Sequence, residues 1–100
     1  MGLPKVLSKT IYVDCFNDDG AKLWSFAFNV KADEASDLMF HTVMSLSSYH
    51  FSDLDVRTGP EIIVGGEEIY TREAISECIK NTVTFSKESG LVRKPRPQNN

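Results

Sequence analysis

The most constraining feature of the sequence is a pair of alternating apolar segments that flank the tetrapeptide Asn17-Asp18-Asp19-Gly20. Residues 9–16 and 23–30 place large apolar side chains at every second position, which is the period of a strand with one buried face. Asn and Asp bond their own backbone and Gly tolerates a positive φ, so the tetrapeptide is typical of a turn. Together these features predict a β-hairpin. Whether the turn closes on residues 18–19 or 19–20, Ile11 and Val13 fall opposite members of the set Trp24, Phe26 and Phe28.

Two later segments have the period of an amphipathic helix. The first is predicted over residues 33–50, with Asp33 as its N-cap and acids in its first turn, where they complement the helix dipole. Its apolar stripe should cover the Trp24 face of the hairpin and consists of Ala35, Leu38, Met39, Thr42, Val43, Leu46, Tyr49 and His50. The second helix is predicted over residues 72–83, capped by Thr71, with a stripe formed by Ala74, Ile75, Cys78, Ile79 and Val83.

Shorter segments complete the predicted fold. Leu54 and Val56 alternate with charged residues and predict a third strand, and residues 61–64 and 67–70 predict a second hairpin around Gly65-Gly66. The resulting order, ββαβββα, indicates an α+β fold with a mainly antiparallel sheet and two helices packed on one face. A chain of 100 residues fits one domain. We place that domain at residues 9–85, between a partly ordered arm at 1–8 and a flexible tail at 86–100.

The two cysteines and the hydropathy of the chain indicate its compartment. Cys15 and Cys78 both fall inside apolar patterns and fit reduced core residues better than a secreted disulfide framework. The sequence does not exclude a single disulfide bridge between them. The sequence has no apolar segment typical of a signal peptide or of a membrane span. These observations favour the cytoplasm.

Charge is uneven along the chain. Residues 1–90 hold 14 acids against 8 Lys and Arg, a net charge of −6, whereas the tail carries a net +3. The tail charges are Arg93, Lys94 and Arg96. An acidic body repels phosphate backbones, so nucleic acid is a disfavoured partner. The alternative function that these residues allow is a nucleic-acid accessory protein that uses the basic tail and a sheet face.

Residues with catalytic chemistry do not form a recognisable set. His41 and His50 lie nine residues apart, too far apart around one helix to hold the same metal ion. Neither Gly59-Pro60 nor Gly65-Gly66 matches a phosphate-binding loop. The pairs Asp53 with Asp55 and Glu73 with Glu77 would permit an acid–base dyad, but both pairs lie opposite apolar positions, as solvated surface acids do. We therefore expect no enzyme activity, metal or cofactor. If the chain is an enzyme after all, these carboxylate pairs make a small carboxylate-dependent enzyme the third functional alternative.

Two large apolar side chains do not fit the core stripe of the first helix. At 100° per residue, Phe40 and Met44 fall on the opposite side of the helix, where they are i, i+4 neighbours. Either the second helix or the arm covers them, or a partner does. In the second case the binding site is Phe40 and Met44 with Asp37 and His41 beside them, and the acids would favour a partner protein with a basic surface.

The layout of residues 9–57, a hairpin with an Asn-Asp-Asp-Gly turn followed by an acid-capped helix and a short strand, resembles the small accessory proteins that bacteriophages encode. Some of those proteins inhibit host RNA polymerase, and others block CRISPR or other defence complexes. The resemblance implies binding to a host protein in the host cytoplasm, without catalysis. The leading hypothesis is a non-enzymatic protein-binding module, monomeric or weakly homodimeric, that acts as an inhibitor or modulator and does not use a membrane.

Overall fold

The computed structural model describes residues 3–49 and 51–89, and it shows an α+β fold. The strands are β1 (Lys5–Phe16), β2 (Lys22–Lys31), β3 (Asp53–Thr58) and β4 (Ile62–Gly65). The helices are α1 (Ala35–Ser47) and α2 (Arg72–Ser89), and two short 3-10 turns lie at Ala32–Glu34 and Gly66–Glu68. The predicted fold class is confirmed.

The four strands form one antiparallel sheet around β1. On one side β1 pairs with β2, and on the other side it pairs with β3 opposite residues 11–16 and with β4 opposite residues 5–8. Strands β3 and β4 therefore lie end to end along the same edge of β1. Gly59 and Pro60 separate them, because proline has no N–H to donate to the ladder.

The first hairpin has the predicted register and the predicted turn chemistry. Ile11 faces Phe28, and Val13 faces Phe26. The side-chain oxygen Oδ1 of Asn17 accepts hydrogen bonds from the backbone N–H groups of Asp19 at 2.9 Å and Ala21 at 3.0 Å. Gly20 has a φ of 82°, a conformation that residues with a Cβ rarely adopt, so the position requires glycine.

The core lies between one face of the sheet and the two helices. The odd-numbered residues of β1 and the even-numbered residues of β2 supply the sheet side, and α1 supplies the predicted stripe with Leu38, Thr42 and Leu46 buried. Thr42 satisfies its hydroxyl by donating to the Leu38 carbonyl oxygen at 2.7 Å. Helix α2 adds Ile75 and Ile79. As predicted, Thr71 caps α2, since its Oγ1 accepts from the Ala74 N–H at 3.1 Å.

Several boundaries differ from those predicted. Strand β1 begins at Lys5 rather than at residue 9, because β4 pairs with residues 5–8, and α2 continues to Ser89. The predicted second hairpin is wrong: β4 pairs with β1, and Gly66–Glu68 forms a 3-10 turn. Asp33 lies inside the other 3-10 turn and does not cap α1. His50 and the tail residues 90–100 lie outside the described residues.

The position of Trp24 also differs from the prediction. It was expected to be buried under α1, but it is half-buried near the end of the sheet and packs edge-on against Phe51, with 5.4 Å between ring centroids. The side chain buried deepest in the aromatic cluster is Phe28, which stacks on Phe26 at 5.6 Å and meets the Tyr70 ring at 4.9 Å. The aromatic face of the hairpin is therefore core at its centre and partly open at the Trp24 end.

Candidate functional site

The outer face of α1 carries the two apolar side chains that the helical period placed off the core. Phe40 is 67% exposed and Met44 is 56% exposed. Asp37 lies exposed one turn before Phe40, and Asp33 and Glu34 lie exposed at the start of the helix. We call Phe40, Met44 and Asp37 the α1 patch. In the described part of the chain, α2 packs along a different side of α1 and leaves the patch open.

His41 was predicted to lie beside Phe40 and Met44 in the binding site, but the structure turns it toward α2. The ring is half-buried between the helices, where Nε2 lies 2.7 Å from the Ser76 hydroxyl and Nδ1 lies 3.1 Å from an Arg72 nitrogen. A guanidinium can only donate, so Nδ1 accepts, and the ring proton sits on Nε2 and is donated to Ser76. His41 thus joins α1 to α2 and does not belong to the exposed surface.

A second group of exposed apolar residues lies where β1 and β4 pair. Leu7 and Ile63 are cross-strand partners and are 50% and 67% exposed. We call Leu7 and Ile63 the ribbon patch. Leu3 is also exposed, and so is Ile62, which points to the other face of the ribbon because successive residues of a strand alternate. Sequence reasoning missed the ribbon patch because residues 1–8 were assigned to an arm. The available signal was the uninterrupted apolar run Ile62-Ile63-Val64. A strand that is apolar on both faces is usually covered on both faces, so the run indicates a strand that packs against other residues.

The outer face of the sheet, which the helices do not cover, holds a polar cluster around Asp14. Its carboxylate accepts a hydrogen bond from Ser25 at 2.6 Å and lies 3.8 Å from Lys22 and 3.4 Å from Arg57. The Ser25 hydrogen bond, followed by the charges of Lys22 and Arg57, holds the pKa of Asp14 below its ordinary value against the opposing effect of burial. Arg57 also pairs with Asp55 at 3.4 Å.

This cluster is better suited to stabilise the sheet than to perform proton transfer. A carboxylate whose pKa is lowered stays ionised at neutral pH and cannot act as a general acid. The guanidinium of Arg57 lies 5.3 Å from the centre of the Tyr12 ring, so the aromatic ring on this face already has a cationic neighbour. The three acids Asp14, Asp53 and Asp55 share the face, which makes it a poor surface for a phosphate backbone.

The other candidate groups do not assemble into a site within the described residues. Cys15 and Cys78 are free thiols, and burial, with a smaller effect from Asp14, raises the pKa of the Cys15 thiol to about 12. Residues 3–49 and 51–89 contain no group of three or more His, Cys, Asp or Glu side chains placed to hold a metal ion. Arg93, Lys94 and Arg96 of the alternative nucleic-acid site lie outside the described residues. Among the described helices, none has the length and hydropathy needed to cross a membrane.

Comparison of the chain with protein-family models, with curated proteins and with solved structures finds no match in any of the three. Function therefore has to be argued from the exposed surfaces themselves.

Proposed function

We propose that the chain is a non-enzymatic protein-binding module whose α1 patch docks on a basic surface of a partner protein. The observation that carries the proposal is the exposure of Phe40 and Met44 to 67% and 56% on a helix whose opposite side is fully packed. Large apolar side chains in such a position are tolerated in a soluble domain when a partner covers them. Phe and Met surrounded by polar residues are a common composition for the centre of an interface.

The expected energetics agree with a compact, specific contact. Removing a Phe or Met side chain from water on binding is worth about 1.5–3 kcal/mol each. The residues lie on a rigid helix, so little conformational entropy opposes docking. Asp33, Glu34 and Asp37 form an acidic rim, which would steer a basic partner and raise the association rate more than the affinity.

The layout shared with small bacteriophage accessory proteins extends the proposal to a biological role. We infer that the partner belongs to a host protein complex in the cytoplasm and that the chain inhibits or modulates it. The polar cluster around Asp14 fits a role in holding the sheet together, because its carboxylate is bound by Ser25, Lys22 and Arg57 of the neighbouring strands.

The test compares two apolar pairs of similar exposure. The double variant Phe40→Ser, Met44→Ser removes the α1 patch, and the matched control Leu7→Ser, Ile63→Ser removes an equally exposed pair on the ribbon patch. Both variants should remain folded by circular dichroism, since neither pair is core. We expect the α1 variant to lose a partner that the parent chain and the control variant both retain from native-host lysate.

The partner identified in this way then permits a quantitative test. Asp37→Lys should slow association several-fold at low salt and by much less at high salt, because a steering charge is screened. An α1 variant that stays folded and binds the same partner with unchanged affinity would end the proposal. Recovery of nucleic acid in place of protein, with binding that weakens steeply as salt rises, would favour the accessory-protein alternative.

A further inference from the structure

Strand β2 is an edge strand, and the structure shows which of its backbone groups point outward. The carbonyl oxygens of Thr10 and Phe16 accept hydrogen bonds from Gly59 and Ser52, so the even-numbered residues of β1 turn their backbone groups toward β3. The odd-numbered residues of β1 therefore bond to β2, and the register pairs them with even-numbered residues of β2. The backbone groups of Ser25 and Ala27 consequently point away from the sheet, whereas Leu23 is the extra residue of a β-bulge, because Trp24 faces Cys15 and Lys22 faces Phe16.

The other end of this edge is already used within the chain. The Tyr70 N–H donates to the Asn29 carbonyl oxygen at 2.7 Å, which agrees with the assigned orientation. Residues 22–28 remain as an edge on which the described part of the chain places no strand. The centre of that stretch is Ser25.

This edge lacks the features by which folded proteins protect a strand against pairing. Between Lys22 and Lys31 the strand contains neither a charged residue nor proline or glycine. The opposite edge of the sheet is different, since β3 carries Asp53, Asp55 and Arg57 and is then interrupted by Gly59 and Pro60. Charges, short length, proline and β-bulges are the usual means of blocking an edge. Strand β2 has none of them over residues 24–30, and its bulge lies before that stretch, at Leu23.

We propose that the outer edge of β2 pairs with the same edge of a second copy of this chain, in an antiparallel two-fold dimer centred on Ser25. In that register Ser25 faces Ser25 of the other copy, and Leu23 faces Ala27. The outward-pointing backbone groups of the two Ser25 residues meet each other and supply about two hydrogen bonds. Those of each Ala27 meet the bulge at Leu23 of the other copy. The two sheets then become one continuous sheet with an isologous interface.

Side-chain and charge complementarity favour a second copy over an unrelated strand. On the apolar face, half-buried Trp24 comes to lie beside Phe26 of the other copy, which extends the aromatic cluster across the interface. Residues of like charge do not face each other in this register. Continuing it brings the turn with Asp18 and Asp19 toward the end of the other β2, which is Lys31.

The first experiment measures the mass of the full chain by sedimentation equilibrium from about 1 µM to about 1 mM, a range that reports weak association. We expect a concentration-dependent rise from 11.2 kDa toward twice that mass. Ser25→Lys places two like charges directly opposite each other and should hold the chain at the monomer mass. Ala27→Pro is the second variant, because the Ala27 N–H points outward and its loss breaks no bond to β1.

The second experiment tests the register. Cα atoms of a facing hydrogen-bonded pair lie about 5.5 Å apart, within reach of a disulfide. Ser25→Cys should therefore give a reducible covalent dimer under mild oxidation, whereas the control Ala27→Cys should not, because its two copies lie about four residues out of register.

The outcomes separate the proposal from its competitors. A parent chain that stays monomeric to 1 mM overturns it, and so does a dimer that persists in both Ser25→Lys and Ala27→Pro. Covalent linkage through Ala27→Cys and not through Ser25→Cys overturns the register. If the parent is monomeric but a chain ending at Ser89 dimerises, the tail residues occupy the edge in place of a second copy. None of these results depends on the α1 patch.

Discussion

Replacement of Phe28 by alanine is the most direct test of the assignment of the core. Phe28 is 1% exposed, faces Ile11 across the hairpin, and contacts the rings of Phe26 and Tyr70. Truncating a buried Phe to Ala removes its transfer free energy and leaves a cavity, which together cost about 3–5 kcal/mol. The Tyr70 ring joins the core to the segment before α2, so its contact with Phe28 adds to the upper part of that range.

This loss is a large share of the stability of a small domain, which is about 5–15 kcal/mol in total. For a urea slope of about 2 kcal/mol per molar, the unfolding midpoint should fall by about 2 M, followed by circular dichroism with the slope unchanged. Phe40→Ala is the matched control, since it makes the same chemical change at a side chain that is 67% exposed, and it should cost under about 0.5 kcal/mol. Equal losses in the two variants would refute the assignment of faces.

Three further outcomes follow from the structure. The folded-state pKa of Asp14 lies below its unfolded value, so its contribution to stability is present above about pH 4 and is lost as pH falls through the folded pKa. When the urea midpoint is measured from pH 7 to pH 2.5, Asp14→Asn should reduce the fall of the midpoint at acid pH. The same fall in the variant and the parent would contradict this. Because burial raises the pKa of the Cys15 thiol to about 12, a thiol reagent should label Cys15 only after denaturation, as peptide mapping would show. Rapid labelling of Cys15 in the native chain would argue against its burial. Phe51→Ala should shift the emission of Trp24 to longer wavelength by exposing the indole to water, and an unaltered spectrum would mean that Phe51 does not shield it.

Local signals predicted the parts of the fold that are held together by neighbours in the sequence. The first hairpin needed only its turn and its alternation, and the buried side of α1 needed only its period. A strand was predicted at residues 61–64, but its partner could not be predicted in the same way, because β4 pairs with residues more than 50 positions earlier. The pair Gly65-Gly66 between residues 61–64 and 67–70 suggested a hairpin, but Gly66–Glu68 forms a 3-10 turn. Long-range pairing decided that region over local propensity.

The candidate site was predictable to the same extent. The helical period gives the angle of each side chain from its own core stripe, and it placed Phe40 and Met44 on the side of α1 opposite that stripe. It left open whether another part of the chain covers them, and the structure shows them exposed. It does not say along which side a second helix packs, so His41 was assigned to the surface although it bonds to Ser76 and Arg72 of α2. The open edge of β2 could not be predicted from the sequence for a similar reason, because the order of the strands must be known before an edge strand can be recognised.

The proposed dimer and the proposed binding face reinforce each other. A two-fold axis perpendicular to the continuous sheet keeps both helical layers on one side, so the two α1 patches of a dimer face the same direction. A partner that presents two copies of its basic site would then be held at both, and the second contact forms at the high effective concentration of a tethered pair, which can raise avidity by a factor of about 10²–10⁴. Ser25→Lys, which leaves Phe40 and Met44 intact, should therefore bind a densely immobilised partner much more weakly than the parent does, yet bind the same partner in dilute solution equally well. Equal retention on the dense surface would show that the two surfaces act separately.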